Sequence, residues 1–147
     1  MSRRDIPVKA IRAAKIIITE NEPRTHTMVR ALAHSGFTVE PALTGTEILA
    51  LADKDIDAVV LDINLPDVNA FEVCRQLKAR PATAHAAVVF TSSTHDIAEP
   101  ELIASRLGAV AYLTKPVEAR DLVNVINLAI SKRDLEVQRS RGTAQSA

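Results

Sequence analysis

Ala58-Val59-Val60-Leu61-Asp62 is the stretch on which the fold turns. An unbroken apolar run, centred on two β-branched valines, leads straight into an aspartate. A strand with one wet face alternates apolar and polar side chains, whereas a strand apolar throughout lies inside a sheet covered on both faces. The same signature recurs in Ile16-Ile17-Ile18-Thr19 and in Ala86-Ala87-Val88-Val89-Phe90. Phe37-Thr38-Val39 and Val110-Ala111-Tyr112-Leu113 are shorter strand candidates. Between these runs the apolar spacing becomes helical. Met28, Val29 and Leu32 lie on a helix that Pro23 suits at its first turn and Ser35-Gly36 stops. Ile48, Leu49 and Leu51 follow a cap at Thr44 or Thr46. Phe71, Val73, Cys74 and Leu77 mark the third helix; Leu102, Ile103 and Leu107, closed by Gly108, mark the fourth. Leu122, Val125, Ile126, Ala129 and Ile130 mark the last. Strands buried on both faces and alternating with helices predict an α/β fold, a doubly wound parallel sheet with helices on both faces. One domain over residues 15–139 is expected, its last helix running to about Arg139, with a flexible arm over 1–14 and a small, polar tail over 140–147.

Composition narrows the function. With 147 residues, 47% apolar and 24% charged, the chain is globular and long enough for a real core. Formal net charge is zero, without the basic excess of a duplex-binding domain, so nucleic acid is not expected as a partner. The apolar runs are far short of the roughly 20 residues that a membrane helix needs, and the arginines after Met1 precede no long apolar stretch, so neither a membrane span nor a secretory signal is expected. A single cysteine, Cys74, excludes an internal disulfide and fits a reducing compartment, with the cytoplasm as the expected location. Cys74 itself reads as a small buried hydrophobe. His26, His34, His85 and His95 lack ligand spacing, so no zinc site is expected. Lys132-Arg133 and Arg139 to Arg141 make a basic helix end that suits the helix dipole and reads as a solvated face.

In an open parallel sheet the chemistry lies beyond the carboxyl ends of the strands. Glu20, Asn21 and Glu22 follow the first strand there, Asp62, Ile63 and Asn64 the third, Thr91, Ser92 and Ser93 the fourth, and Lys115 the fifth. Acids, hydroxyls and a lysine thus converge from distant segments. An aspartate can attack a phosphoryl group and form an acyl phosphate. The transferred group carries spread negative charge, which a lysine and a hard cation neutralise. Mg²⁺ takes a few carboxylate or carbonyl oxygens together with water and phosphate.

Three segments carry a family resemblance: Asp62-Ile63-Asn64-Leu65-Pro66-Asp67-Val68-Asn69-Ala70-Phe71-Glu72, Val88-Val89-Phe90-Thr91-Ser92-Ser93, and Gly108-Ala109 followed by Tyr112-Leu113-Thr114-Lys115-Pro116. In this order and spacing they resemble the receiver domains of response regulators, over roughly residues 15–132. The resemblance implies a flavodoxin-like five-stranded parallel sheet in the order 2-1-3-4-5. It implies that Asp62 accepts phosphate from a histidine kinase or histidine phosphotransfer protein. Glu20, Asn21, Asp62 and the carbonyl of Asn64 would hold Mg²⁺. Lys115 would bond the phosphoryl group, and the Lys115-Pro116 peptide would be cis. Ser92 fits the switch hydroxyl by its spacing from Asp62, with Thr91 as the alternative. Tyr112 matches the aromatic switch that turns inward. A protein target would read the face of the fourth helix, fifth strand and fifth helix. Such a protein is not an enzyme in the usual sense, since it takes part only in its own phosphorylation and dephosphorylation.

The sequence departs from the family after the first strand, at Ala70, and in the loop from Ser92 to Gly108, which is longer than usual by about one residue. Glu20 and Asn21 stand where the family usually has adjacent acids, and a slip of one residue would bring Glu22 nearer. A carboxylate about 4 Å from a cation interacts by about 4 kcal/mol at an effective dielectric of 20, so the amide of Asn21 implies weakened Mg²⁺ binding. Ala70 replaces the usual glycine; a positive φ there would cost about 1 kcal/mol unless the loop takes another shape. Two readings follow: a working receiver, or a degenerate one that acts as a phosphorylation-independent interaction module. The survival of Asp62, Lys115 and a hydroxyl favours the first. A flavodoxin-like electron carrier would need a phosphate-cradling loop where Glu20-Asn21-Glu22 would repel phosphate. A haloacid-type phosphatase would carry Asp-x-Asp after its first strand. A DNA-binding regulator would need an output domain, of which this sequence shows no sign.

Overall fold

The computed structural model describes residues 13–19, 27–93 and 98–146, with side chains as far as Leu135. The strands are β1 (Lys15–Thr19), β2 (Thr38–Ala42), β3 (Ala58–Asp62), β4 (Ala87–Ser92) and β5 (Ala111–Thr114). The helices are α1 (Thr27–His34), α2 (Gly45–Leu51), α3 (Ala70–Ala79), α4 (Pro100–Arg106) and α5 (Ala119–Ser146). All strand pairings are parallel, in the order β2-β1-β3-β4-β5, the order that the resemblance implies. Pro23 lies outside the described residues.

Every residue of β3 is buried, as its composition requires at the centre of the sheet. Alternation along the strands divides the core in two. Ile17, Val59, Leu61, Val88 and Phe90 pack against Ile48 of α2, Val73, Cys74 and Leu77 of α3, and Ala104 of α4. Ile16, Ile18, Ala58, Val60, Ala87 and Val89 pack against Leu32 of α1 and Leu122, Ile126 and Ala129 of α5. Each large apolar side chain so buried contributes about 1.5–3 kcal/mol of transfer free energy. The two layers suspend the carboxyl ends of β3 and β4 between them.

Several local expectations are refined. β2 runs on from Thr38 through Glu40 and Pro41, beyond the predicted Val39. Pro41 is compatible because β2 is an edge strand, where one backbone N–H is not needed by a neighbour. Thr44, rather than Thr46, caps α2: its Oγ1 accepts the Glu47 N–H at 3.0 Å. Ala70 does not adopt a positive φ. It opens α3 behind Asn69, whose extended backbone (φ −71°, ψ 128°) and Oδ1, 2.8 Å from the Phe71 N–H, form the cap. The connection has therefore taken a shape that needs no glycine at residue 70.

The last helix differs most from expectation. It continues to Ser146, past the predicted end at Arg139, so the expected tail from Ser140 is helical as far as Ser146; no proline interrupts residues 119–146. Arg133 is a correction to the solvated basic face. It lies at helical spacing from Ile126, Ala129 and Ile130, which carries it onto the buried side of α5. Its side chain is only 12% exposed, and its Nη1 stands 3.2 Å from Oδ1 of Asp57. Asp57 also accepts the Lys15 N–H on Oδ2 at 2.9 Å. Its own N–H donates to the Lys15 carbonyl at 2.9 Å, and its carbonyl accepts the Ala87 N–H at 3.0 Å. One residue ahead of β3 therefore joins β1, β4 and α5.

Candidate functional site

Asp62 is the last residue of β3 and only 1% exposed. A carboxylate so buried requires close polar partners. Its N–H donates to Thr19 Oγ1 at 2.7 Å, and that hydroxyl donates to the Val60 carbonyl at 3.0 Å. Oδ1 accepts the Asn64 N–H at 2.7 Å. Oδ2 forms an ion pair with Lys115 Nζ, reaching across from the end of β5. Lys115 is itself placed by β4, since its N–H donates to the Ser92 carbonyl at 2.8 Å. The Lys115–Pro116 peptide is cis. The loop after Asp62 is anchored on the same strand, with the Ile63 N–H donating to the Thr91 carbonyl at 2.8 Å.

Register and alternation separate the two candidate hydroxyls. Asp62 is in register with Thr91, and both continue the parity of Val60 and Val89 toward α1 and α5. Ser92 continues the parity of Phe90 toward the opposite face, the face that also takes Tyr112. Both hydroxyl residues are buried. Ser93 is exposed, its Oγ 3.5 Å from Asn64 Nδ2. The Tyr112 ring lies inward beside Phe90 with centroids 6.4 Å apart, and Phe90 meets Phe71 edge-on at 5.1 Å. The Tyr112 hydroxyl is buried and has no hydrogen-bond partner among the described residues.

Glu20, Asn21 and Glu22 lie outside the described residues, as do His26 and His95. Among the described residues no cluster of three or more His, Cys, Asp or Glu side chains is placed to hold a metal, and no helix is long and apolar enough to cross a membrane. The Asp62 carboxylate is a hard oxygen donor of the kind that suits Mg²⁺. Cys74 is fully buried on α3, and burial pushes its thiol up to about 11. Lys78 donates to the carbonyls of Ala84 at 3.1 Å and Ala86 at 2.6 Å, and burial lowers its pKa.

Sequence reasoning passed over Asp67. Its Oδ1 accepts the Gly45 N–H at 2.8 Å, and its Oδ2 accepts the Thr46 N–H at 3.1 Å and the Thr46 hydroxyl at 2.6 Å. The Thr46 hydroxyl, chiefly, and the Gly45 amide hold this carboxyl at about 2. The signal was present in the sequence: an acid in a proline turn and a Thr-Gly-Thr helix start with unpaired N–H groups.

A sequence profile of the response regulator receiver domain matches residues 16–127, and the chain belongs to that family of two-component signalling switches. It is similar to the TorCAD operon transcriptional regulatory protein TorR of Escherichia coli K12, at 30% identity over 84% of this chain and 53% of TorR. It is also similar to Protein PilH of Pseudomonas aeruginosa, at 32% identity over 80% of this chain and 98% of PilH. The chain thus spans about half the length of the transcriptional regulator and nearly all of PilH. A CheY-like receiver domain protein from Methanospirillum hungatei superposes with a TM-score of 0.74 at 26% identity, covering 85% of this chain and 99% of that one.

Proposed function

We propose that this chain is a phosphoacceptor receiver of a two-component phosphorelay, phosphorylated on Asp62 by a histidine kinase or histidine phosphotransfer protein. The observation that carries the reading is the buried carboxylate at the carboxyl end of β3, held against Lys115 from two strands away. A carboxylate oxygen of Asp62 attacks the phosphorus of a phosphohistidine. The P–N bond breaks, its electron pair leaves with the imidazole, and an acyl phosphate forms. Lys115 then pairs with the phosphoryl oxygens instead of the carboxylate. Asp62, the carbonyl of Asn64, Glu20 and Asn21 would hold Mg²⁺, which when bound spreads the phosphoryl charge. Asn21 makes that binding weaker than a second acid would.

Ser92 is the switch hydroxyl in this reading, because it shares a sheet face with Tyr112 and Thr91 does not. Its bond to the phosphoryl group favours one arrangement of α4 and β5. Moving such an equilibrium from 1:99 to 99:1 takes about 5.5 kcal/mol of differential binding. A protein target reads the face of α4, β5 and α5. Leu102, Val110 and Leu128 stand exposed there, Leu128 by 70%, and supply an apolar docking surface. The protein works in the cytoplasm on protein partners, and its chemistry is confined to gaining and losing its own phosphate.

One observation favours a second reading: Asn21 removes a charge from the metal site. A degenerate receiver would bind partners without phosphate. Beryllofluoride with millimolar Mg²⁺, followed by NMR on wild type and Asp62→Asn, separates the two. Shifts spreading from Asp62 to Ser92 and Tyr112, absent in the variant, are expected. An unchanged wild-type spectrum would select the degenerate module.

A further inference from the structure

The loop that carries Asn64, residues 63–69, is held at its ends by the strand and helix it joins. Its middle is held from outside. Asp67 grips the first turn of α2 through both carboxylate oxygens, taking the N–H groups of Gly45 at 2.8 Å and Thr46 at 3.1 Å and the Thr46 hydroxyl at 2.6 Å. Gly45 is what lets the loop lie so close. A Cβ there would stand 2.2 Å from Val68 Cγ2, 2.9 Å from Val73 Cγ2 and 3.3 Å from Leu65 Cδ1. The loop and the start of α2 are therefore in direct contact on either side of Asp67, and three hydrogen bonds fix their register. Three residues back from Asp67 lies Asn64, whose N–H donates to Asp62 Oδ1 at 2.7 Å.

We propose that Asp67 is a positioning residue for Asp62. By clasping the loop onto α2 it sets where Asn64 meets the Asp62 carboxylate. Its effect on phosphorylation rests on the reading of Asp62 as phosphoacceptor; its hold on Asn64 does not. The start of α2, which follows the edge strand β2, becomes part of the support of the site.

The test uses the full chain and the variants Asp67→Ala, Asp67→Asn and Thr46→Val, with two readouts. The first is amide hydrogen exchange. In Asp67→Ala the Asn64 and Gly45 amides are expected to exchange roughly tenfold faster, the factor carried by about one lost capping interaction, while Val59 and Val60 in β3 stay protected. Asp67→Asn keeps one acceptor oxygen and is expected to restore part of the protection. The second is the half-saturating Mg²⁺ concentration for beryllofluoride binding, expected to rise roughly fivefold in Asp67→Ala. Unchanged Asn64 exchange in a folded Asp67→Ala protein overturns the proposal. Should Asp67→Ala not fold, Thr46→Val removes a single bond, and unchanged Asn64 exchange there overturns it equally. Failure of the wild type to bind beryllofluoride counts against the phosphoacceptor reading alone, and Asn64 exchange still decides the clasp.

Discussion

Replacing Arg133 by leucine removes one side of the buried pair that ties α5 to the start of β3. Losing one partner of such a pair costs about 3–5 kcal/mol when the remaining charge is left without compensation. Compensation here is partial. Asp57 keeps the Lys15 N–H at 2.9 Å, and Arg133 shares its guanidinium with the exposed Asp134 carboxylate at 3.1 Å. The expected loss is therefore about 2–3 kcal/mol. For a domain of this size that lowers Tm by about 6–10 °C. Urea and thermal unfolding followed by circular dichroism measure both quantities. Arg133→Leu combined with Asp57→Asn should recover more than half of the loss, because no buried charge is then stranded. A single variant within about 0.5 kcal/mol of wild type would show that the pair behaves like a surface bridge. A double variant as unstable as the sum of the two singles would show that the residues act independently.

Two further outcomes follow from other residues. Folding raises the Cys74 thiol from its ordinary 9.0 to about 11, so the folded state holds its proton where the unfolded state loses it. Stability from this group is complete below pH 9 and falls as pH climbs toward 11, by about 2–3 kcal/mol in all; urea titrations at pH 8, 9.5 and 10.5 on wild type and Cys74→Ala should show the extra slope only in wild type. Glu99 precedes α4 with φ 51°, a conformation that suits glycine, so Glu99→Gly should raise stability by about 1 kcal/mol in thermal unfolding; a lowered Tm would mean that the glutamate side chain outweighs the backbone strain.

The parts of the fold legible in the sequence are those where one physical cause dominates. β1, β3 and β4 must be buried on both faces because nothing polar interrupts them, and the alternation with helices then dictates a parallel sheet. Asp62 was legible for the same reason, as the first charge at the end of such a strand. β2 was harder, because Glu40 and Pro41 look like a break until the strand is known to lie at an edge. Arg133 and Asp67 were not singled out. Asp57 is remote in sequence from Arg133, and a lone charge on a helix carries no local mark of a distant partner; for Asp67 the acid and the helix start at Gly45-Thr46 were each legible, but not that the fold brings them together. Which of Thr91 and Ser92 shares a sheet face with Tyr112 also needed register, since neighbours in a strand face opposite ways and composition cannot say which way.

α5 meets the sheet along its buried stripe, and Arg133 is the last of the described contacts along that stripe, at the start of β3. Beyond it the helix rises roughly 20 Å to Ser146, at 1.5 Å per residue. A rod packed along one part of its length multiplies angle into distance at the other. A tilt of about 5° about Arg133 carries the far end through about 2 Å, given that length. With Asp57 as the fulcrum, a small change in the packing of α5 against the sheet would be magnified at the far end of the helix.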